Sequence, residues 1–112
     1  MIPLINRGVV FESKHDYDGA IADYTAAIRL DPRNAFAFAR RGIAEEANRD
    51  YVHAIADYGA AVALNPKDAG SLFFRGMARL RNGDKAGGYA DIAAAKAITP
   101  DIAEQYPDNT LK

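Results

Sequence analysis

Residues 16–32 read DYDGAIADYTAAIRLDP and residues 50–66 read DYVHAIADYGAAVALNP, with eleven of the seventeen positions identical at an offset of thirty-four residues. The phrase returns in weakened form as DKAGGYADIAAAKAITP over residues 84–100. The stretches ahead of it also align: LINRGVVF, FARRGIAE and FFRGMARL place Arg-Gly at residues 7–8, 41–42 and 75–76. Three copies in one register, with no insertion or deletion, describe stacked supersecondary units rather than a closed globule.

Each unit reads as two helices. Apolar Leu4, Val9, Val10 and Phe11 follow Pro3, which suits a first helical turn. Asp16 stands where an N-cap belongs, ahead of the periodic run Ala20, Ile21, Tyr24, Ala27 and Ile28. Pro32 then biases Asp31 out of helical geometry, and the same stop recurs as LNPKD and ITPDI. No window alternates with period two, so no strand is expected. After the third copy, Thr99 is read as a cap and Pro100 as the start of a short helix. That helix carries Ile102 and Tyr106, ends at Pro107 and partly shields the last unit.

The small residues predict how the helices meet. Gly8, Gly42 and Gly76 fall in mid-helix, where glycine costs about 1 kcal/mol relative to alanine. Repetition of that cost at one spacing implies a close neighbour, with Ala20, Ala54 and Gly88 opposite and Tyr24, Tyr58 and Ile92 alongside. Arg7, Arg41 and Arg75 recur in step with Asp23, Asp57 and Asp91. One member falls on each helix of a unit, so they are expected to pair as partly exposed ions that fix register more than they hold the stack.

Small residues at positions eight, twenty and twenty-seven, an aromatic at twenty-four and proline at thirty-two resemble the tetratricopeptide repeat family. They are Gly8, Ala20, Tyr24, Ala27 and Pro32, then Gly42, Ala54, Tyr58, Ala61 and Pro66, then Gly76, Gly88, Ile92, Ala95 and Pro100. Departures are Arg at position seven, no tryptophan at four, and Gly88 with Ile92 in the last copy. The resemblance implies an all-α fold: a right-handed α-solenoid of three antiparallel helix-turn-helix repeats, 1–34, 35–68 and 69–102, with a C-terminal tail over 103–112, in a single domain.

It also implies a concave groove lined by the first helix of each unit. One branch of the family grips the C-terminal carboxylates of heat-shock chaperones with a clamp of Lys, Asn and Arg. The matching positions here hold Ile5, Val9, Arg40, Gly70 and Phe74, so the clamp does not transfer. An apolar strip replaces it. The expected peptide-binding groove comprises Ile2, Ile5, Val9, Phe36, Ile43, Phe73 and Met77, edged by Arg40, Glu46 and Arg81, with Glu12 beside them. Apolar groups anchor and charged groups orient in this reading, and the natural occupant is an amphipathic helix or extended apolar segment of a protein or peptide partner. Both stack ends and the groove lack obvious covers, which suggests a homodimer as a further possibility.

Other classes find little support. In 112 residues, fourteen Lys and Arg face fifteen Asp and Glu, and 49% of the chain is apolar. Net charge near zero points to neither nucleic acid nor an anionic membrane. There is no cysteine, no signal-peptide pattern in MIPLINRG and no run of eighteen apolar residues, so a cytoplasmic protein is expected. His15 and His53 have no ligand-spaced companions, Glu45 and Glu46 read as a solvated flank, and NGDKAGG lacks the strand and Gly-Lys-Ser/Thr of a phosphate loop. No catalysis, metal or cofactor is expected. Two rivals stay open: a repeat fragment whose groove is filled by flanking sequence of a larger protein, and RNA binding through Arg40, Arg41, Arg75, Arg79 and Arg81. A pI near 6 argues against the latter.

Overall fold

The computed structural model describes residues 3–106. Among them the chain forms seven helices and no strand: α1 (Leu4–Ser13), α2 (Tyr17–Leu30), α3 (Ala35–Ala47), α4 (Tyr51–Leu64), α5 (Ala69–Arg81), α6 (Lys85–Ile98) and α7 (Ile102–Gln105). The capping signals of the repeat account for the starts. Asp16, Asn34, Asp50, Asp68 and Asp84 each accept the backbone N–H three residues ahead, at 2.9–3.3 Å. Pro3 is the N-cap of α1 rather than part of its first turn. Thr99 ends α6, and Asp101 precedes α7, so the tail helix starts two residues later than its sequence suggests. Pro107, expected to end it, lies outside the described residues.

The turn inside each hairpin has one geometry written three times. His15, Arg49 and Gly83, thirty-four residues apart, adopt φ of 60°, 61° and 91°. Only the third copy uses the residue that reaches this left-handed region without a Cβ penalty.

Each second helix packs on the first helix of its own hairpin and on the first helix of the next, while α3 and α5 also meet directly. The result is a stack with extents of 40 × 25 × 23 Å. Two core clusters repeat at the thirty-four-residue offset. Ala20, Tyr24 and Ala44 form one, with Ile5, Phe11 and Ile21 against it; Ala54, Tyr58 and Ala78 form the other, with Ile43, Ile55 and Phe74. Ala44 and Ala78 come from the following unit, so these clusters are the joints of the stack.

Gly42 is required by the Tyr58 ring, which would lie 2.8 Å from a Cβ placed there. In the third hairpin, glycine faces glycine. A Cβ on Gly76 would fall 2.8 Å from the Gly88 carbonyl oxygen, and one on Gly88 2.7 Å from Leu80 Cγ. Gly88 is therefore a packing residue of the α5–α6 crossing, not a weak point. The substitutions of the third copy are concerted: Leu80 and Ile92 stand where the second has Glu46 and Tyr58.

The repeated ions pair within each hairpin. Arg7 grips Asp23 through Nε and Nη2 at 2.8 Å each, Arg41 grips Asp57 at 2.7 Å, and Arg75 grips Asp91 at 2.8 and 2.9 Å, with Arg79 adding a bond to Asp91. All three aspartates are buried, so the bidentate bonds satisfy polar atoms that water does not reach. The bonds from Arg7 hold the Asp23 carboxyl below its ordinary range, against the opposing effect of burial.

Two sequence readings are corrected here. Phe73 and Met77 were expected on the groove strip; they are 2% and 3% exposed. They sit with Leu72, Ile92, Ala95 and Ile102 in the core of the third hairpin, and Tyr106 stacks on Phe73 at 6.0 Å. The tail thus covers them. Glu45 and Glu46 are not a solvated flank either. Glu45 is buried, and Glu46 is largely covered by the partners described below.

Candidate binding groove

Between α3 and α5, where the first helices face each other, lies a cavity of about 330 Å³ lined by Ile43, Glu46, Ala47, Tyr51, Tyr58, Phe74 and Arg81. Its shape follows from the repeat. Tyr58 is pinned beside Gly42 and sends its hydroxyl along α3, where it donates to Glu46 Oε1 at 2.9 Å. Arg81, one unit on, donates to the other oxygen of Glu46. Phe74 lies against Tyr58 with ring centroids 5.9 Å apart, and Tyr106 abuts Phe74 edge-on at 4.7 Å.

Tyrosine, glutamate and arginine also meet one unit earlier, with the arginine taken from a different position of the repeat. Tyr24 donates to Glu12 Oε1 at 2.6 Å, and Arg40 Nη2 reaches the same oxygen at 3.1 Å. Burial, with Glu12 beside it, pushes the Tyr24 hydroxyl up to about 12. Burial likewise raises Tyr58, with Glu46 adding to it. Burial raises the Glu46 carboxyl too, while Tyr58 and Arg81 pull the other way. For Arg40, burial works against the charge, and the Tyr24 and Glu12 oxygens outweigh it, so its proton is held more tightly than usual. The groove floor is therefore charged but internally neutralised, and the triads hold Arg40 and Arg81 in fixed positions.

The ten residues expected from sequence divide as follows. Ile43, Glu46 and Arg81 line the cavity. Phe36 is exposed at 59%, and Val9 is exposed on α1. Ile5 is half-buried against the first joint, and Arg40 is half-buried in its triad. Phe73 and Met77 are core, and Ile2 lies outside the described residues. Sequence reasoning missed Tyr51 and Tyr58 as lining groups, because both belong to the second helix of their unit. The identity of Tyr24 and Tyr58 at one register, each twelve residues after a glutamate, is the signal that could have found the triads.

Among the described residues there is no cluster of His, Cys, Asp or Glu able to hold a metal, and no helix is long and apolar enough to cross a membrane.

The geometry defines a class: an α-solenoid of helical hairpins presenting a lined groove. Comparison with known proteins shows what this architecture is similar to. The tetratricopeptide repeat profile matches residues 3–34. The second TPR domain of human RPAP3, determined in complex with the HSP70 peptide SGPTIEEVD, superposes with a TM-score of 0.86 at 25% identity, covering 98% of this chain and 94% of that one. The first TPR of Spaghetti (RPAP3), bound to the HSP90 peptide SRMEEVD, gives 0.86 at 24% identity over 95% and 86% of the two chains. The TPR2B domain of yeast Sti1, in its complex with pHsp70, gives 0.81 at 21% over 90% and 84%. No curated protein sequence matches. The profile match covers the first hairpin, and the superpositions extend the likeness in fold to tetratricopeptide domains over nearly the whole chain.

Proposed function

We propose that the chain is a non-catalytic interaction scaffold whose concave groove holds an apolar or amphipathic segment of another protein. Its solved neighbours carry peptides, which supports peptide binding as the activity of this groove. The observation that carries the finer reading is the lining itself. The cavity between α3 and α5 presents Ile43, Tyr51, Phe74 and Ala47 around a neutralised Glu46–Arg81 floor, with exposed Phe36 on the same helix as Ile43. A carboxylate tail needs unpaired donors at the groove. Here Arg40 gives Nη2 to Glu12, its Nε, without a partner among the described residues, is buried away from the surface, and Phe74 is engaged with Tyr58 and Tyr106. Apolar anchors entering the cavity bury aromatic surface that otherwise faces water, worth about 25 cal/mol per Å². Val9, Ile43, Phe36 and Phe74 are the anchoring contacts in this proposal, and Arg40, Glu46 and Arg81 set orientation.

The test is a peptide-display selection on the immobilised chain, followed by fluorescence anisotropy of the selected sequences and of SRMEEVD. Selected peptides should be amphipathic and apolar. They should lose at least tenfold in affinity on Ala47→Arg, which fills the cavity from an exposed position, and on Phe36→Glu. Micromolar binding of SRMEEVD, or selected peptides indifferent to both substitutions, would sink the reading.

A further inference from the structure

The motif NGDKAGG, over residues 82–88, opens on an Asn-Gly pair that the groove does not use. Asn82 is the C-cap of α5, at φ −89° and ψ 4°, and Gly83 follows at φ 91°. Both are exposed, and a Cβ placed on Gly83 would meet nothing within 4 Å. The Asn82 side-chain amide holds no hydrogen bond among the described residues. An electrophilic amide carbon and the backbone nitrogen that can attack it thus lie side by side in water, with no side chain between them.

The chemistry needs only water. The Gly83 nitrogen gives its proton to hydroxide and attacks Asn82 Cγ. The new C–N bond closes a succinimide, the bond from Cγ to the side-chain nitrogen breaks, and that nitrogen leaves as ammonia with a proton from water. Water then opens the ring. Addition at Cγ leaves aspartate; addition at the Asn82 main-chain carbonyl leaves isoaspartate, whose backbone runs through the former side chain. Nothing is oxidised or reduced. Ring closure turns the Asn82 Cα–C bond away from ψ 4° and breaks the bonds from Gly83 N to Leu80 O at 3.1 Å and from Asp84 N to Arg79 O at 2.8 Å. An exposed turn that opens locally supplies that motion, and glycine resists it least.

The four other asparagines among the described residues each lack a requirement. Asn6 lies within α1, where the next nitrogen, Arg7 N, donates to Pro3 O at 3.0 Å. Asn34 Oδ1 is engaged in capping α3 through Ala37 N. Asn65 precedes Pro66, which has no N–H to lose. Asn48 is the sharpest comparison. It ends α3 at φ −86° and ψ 9°, it is exposed, and it occupies the same place in the turn as Asn82. The following residue is Arg49, whose Cβ crowds the approach that Gly83 leaves open.

We propose that Asn82 is a site of spontaneous covalent modification in the folded chain, converting through a succinimide to aspartate and isoaspartate while Asn48 persists in the equivalent turn. The product is not neutral for the fold. A carboxylate replaces an amide at the C-terminal end of α5, where the helix dipole is negative. Isoaspartate also lengthens the main chain by a methylene just before α6, whose Gly88 is packed closely on Gly76. The third hairpin is therefore the part of the stack that changes with age.

The test incubates the folded full chain at pH 6 and pH 8, beside the same chain unfolded in urea, and follows each asparagine by peptide mapping with mass spectrometry. Residue 82 of the folded chain should gain the mass of an amide-to-acid exchange at least about tenfold faster than residue 48, a barrier difference of about 1.4 kcal/mol. Conversion should be faster at pH 8 than at pH 6, because the attacking nitrogen must first lose its proton. Gly83→Ala should slow it. Arg49→Gly, which puts glycine at φ 61° in the second turn, should create a new site at Asn48. The acidic species, isolated by anion exchange, should melt below the starting protein, and an unchanged melt would overturn the claimed effect on the hairpin. An Asn82 amide that survives in the folded chain after the unfolded chain has converted, equal rates at residues 82 and 48, or an intact Asn48 in Arg49→Gly would each overturn the proposal.

Discussion

Glu45 offers a direct test of the electrostatics read from this fold. It occupies the register of Phe11 and Arg79, is 7% exposed, and its Oε1 has no hydrogen-bond partner among the described residues. Burial raises its carboxyl pKa strongly; the hydrogen bond and charge of Asp57 add to this, as does Asp50, while Arg41 opposes it. The group keeps its proton to higher pH than an ordinary carboxyl, and the sign of its contribution follows. Below the ordinary carboxyl value of 4.5, folded and unfolded chains both carry the proton and Glu45 costs nothing through titration. As pH rises past that value the unfolded chain releases its proton and the folded chain does not. Stability therefore falls steadily until the raised folded value is reached, and is flat beyond it.

Glu45→Gln removes the titration and keeps a donor for Asp57. Each unit of separation between the two states is worth about 1.4 kcal/mol, and an unsatisfied buried oxygen sets a scale of about 1–3 kcal/mol. The variant should match wild type near pH 4.5 and exceed it by about 1–3 kcal/mol at pH 8, a Tm gain of about 4–10 °C. Urea unfolding at half-unit pH steps measures this, with exposed Glu104→Gln as the control. Parallel stability curves for wild type and Glu45→Gln between pH 4.5 and 8 would show Glu45 ionised in the fold and refute the reasoning.

Further predictions concern packing and backbone. Arg49→Gly, placing at φ 61° the residue that the third hairpin uses, should stabilise the chain by about 0.5–1 kcal/mol in chemical denaturation. Gly88→Ala should destabilise by about 1–3 kcal/mol, since its Cβ would meet the Gly76 carbonyl and Leu80. A thermal melt unchanged from wild type would show that the crossing can relax. Phe73→Ala should cost about 3–5 kcal/mol and Phe36→Ala less than about 0.5. The two are an aromatic pair from the same greasy strip as read in the sequence, separated by burial alone.

That pair shows where sequence reasoning stops. Repeat register places Phe36, Phe73 and Met77 on first helices, and register is a property of one helix. Exposure depends on what crosses that helix. Ile102 and Tyr106 come from beyond the third repeat and lie over Phe73, converting part of an expected groove into core. Glu45 and Glu46 are adjacent and look like a wet flank, yet one faces Asp57 and the other lies between Tyr58 and Arg81. Those partners are far away in the chain.

By itself the sequence determined the helical hairpins, their thirty-four-residue period, the Asp and Asn caps, and the Arg–Asp pairs. All are local, or repeat at a fixed interval, so the chemistry of a single unit is enough to read them. Only the tertiary structure decided which apolar groups stay open and how glutamate, tyrosine and arginine from successive units neutralise the groove floor. Each depends on the distance between elements that share no local pattern, and burial changes the energy of a carboxylate or a phenyl ring by kilocalories without altering a letter of the sequence.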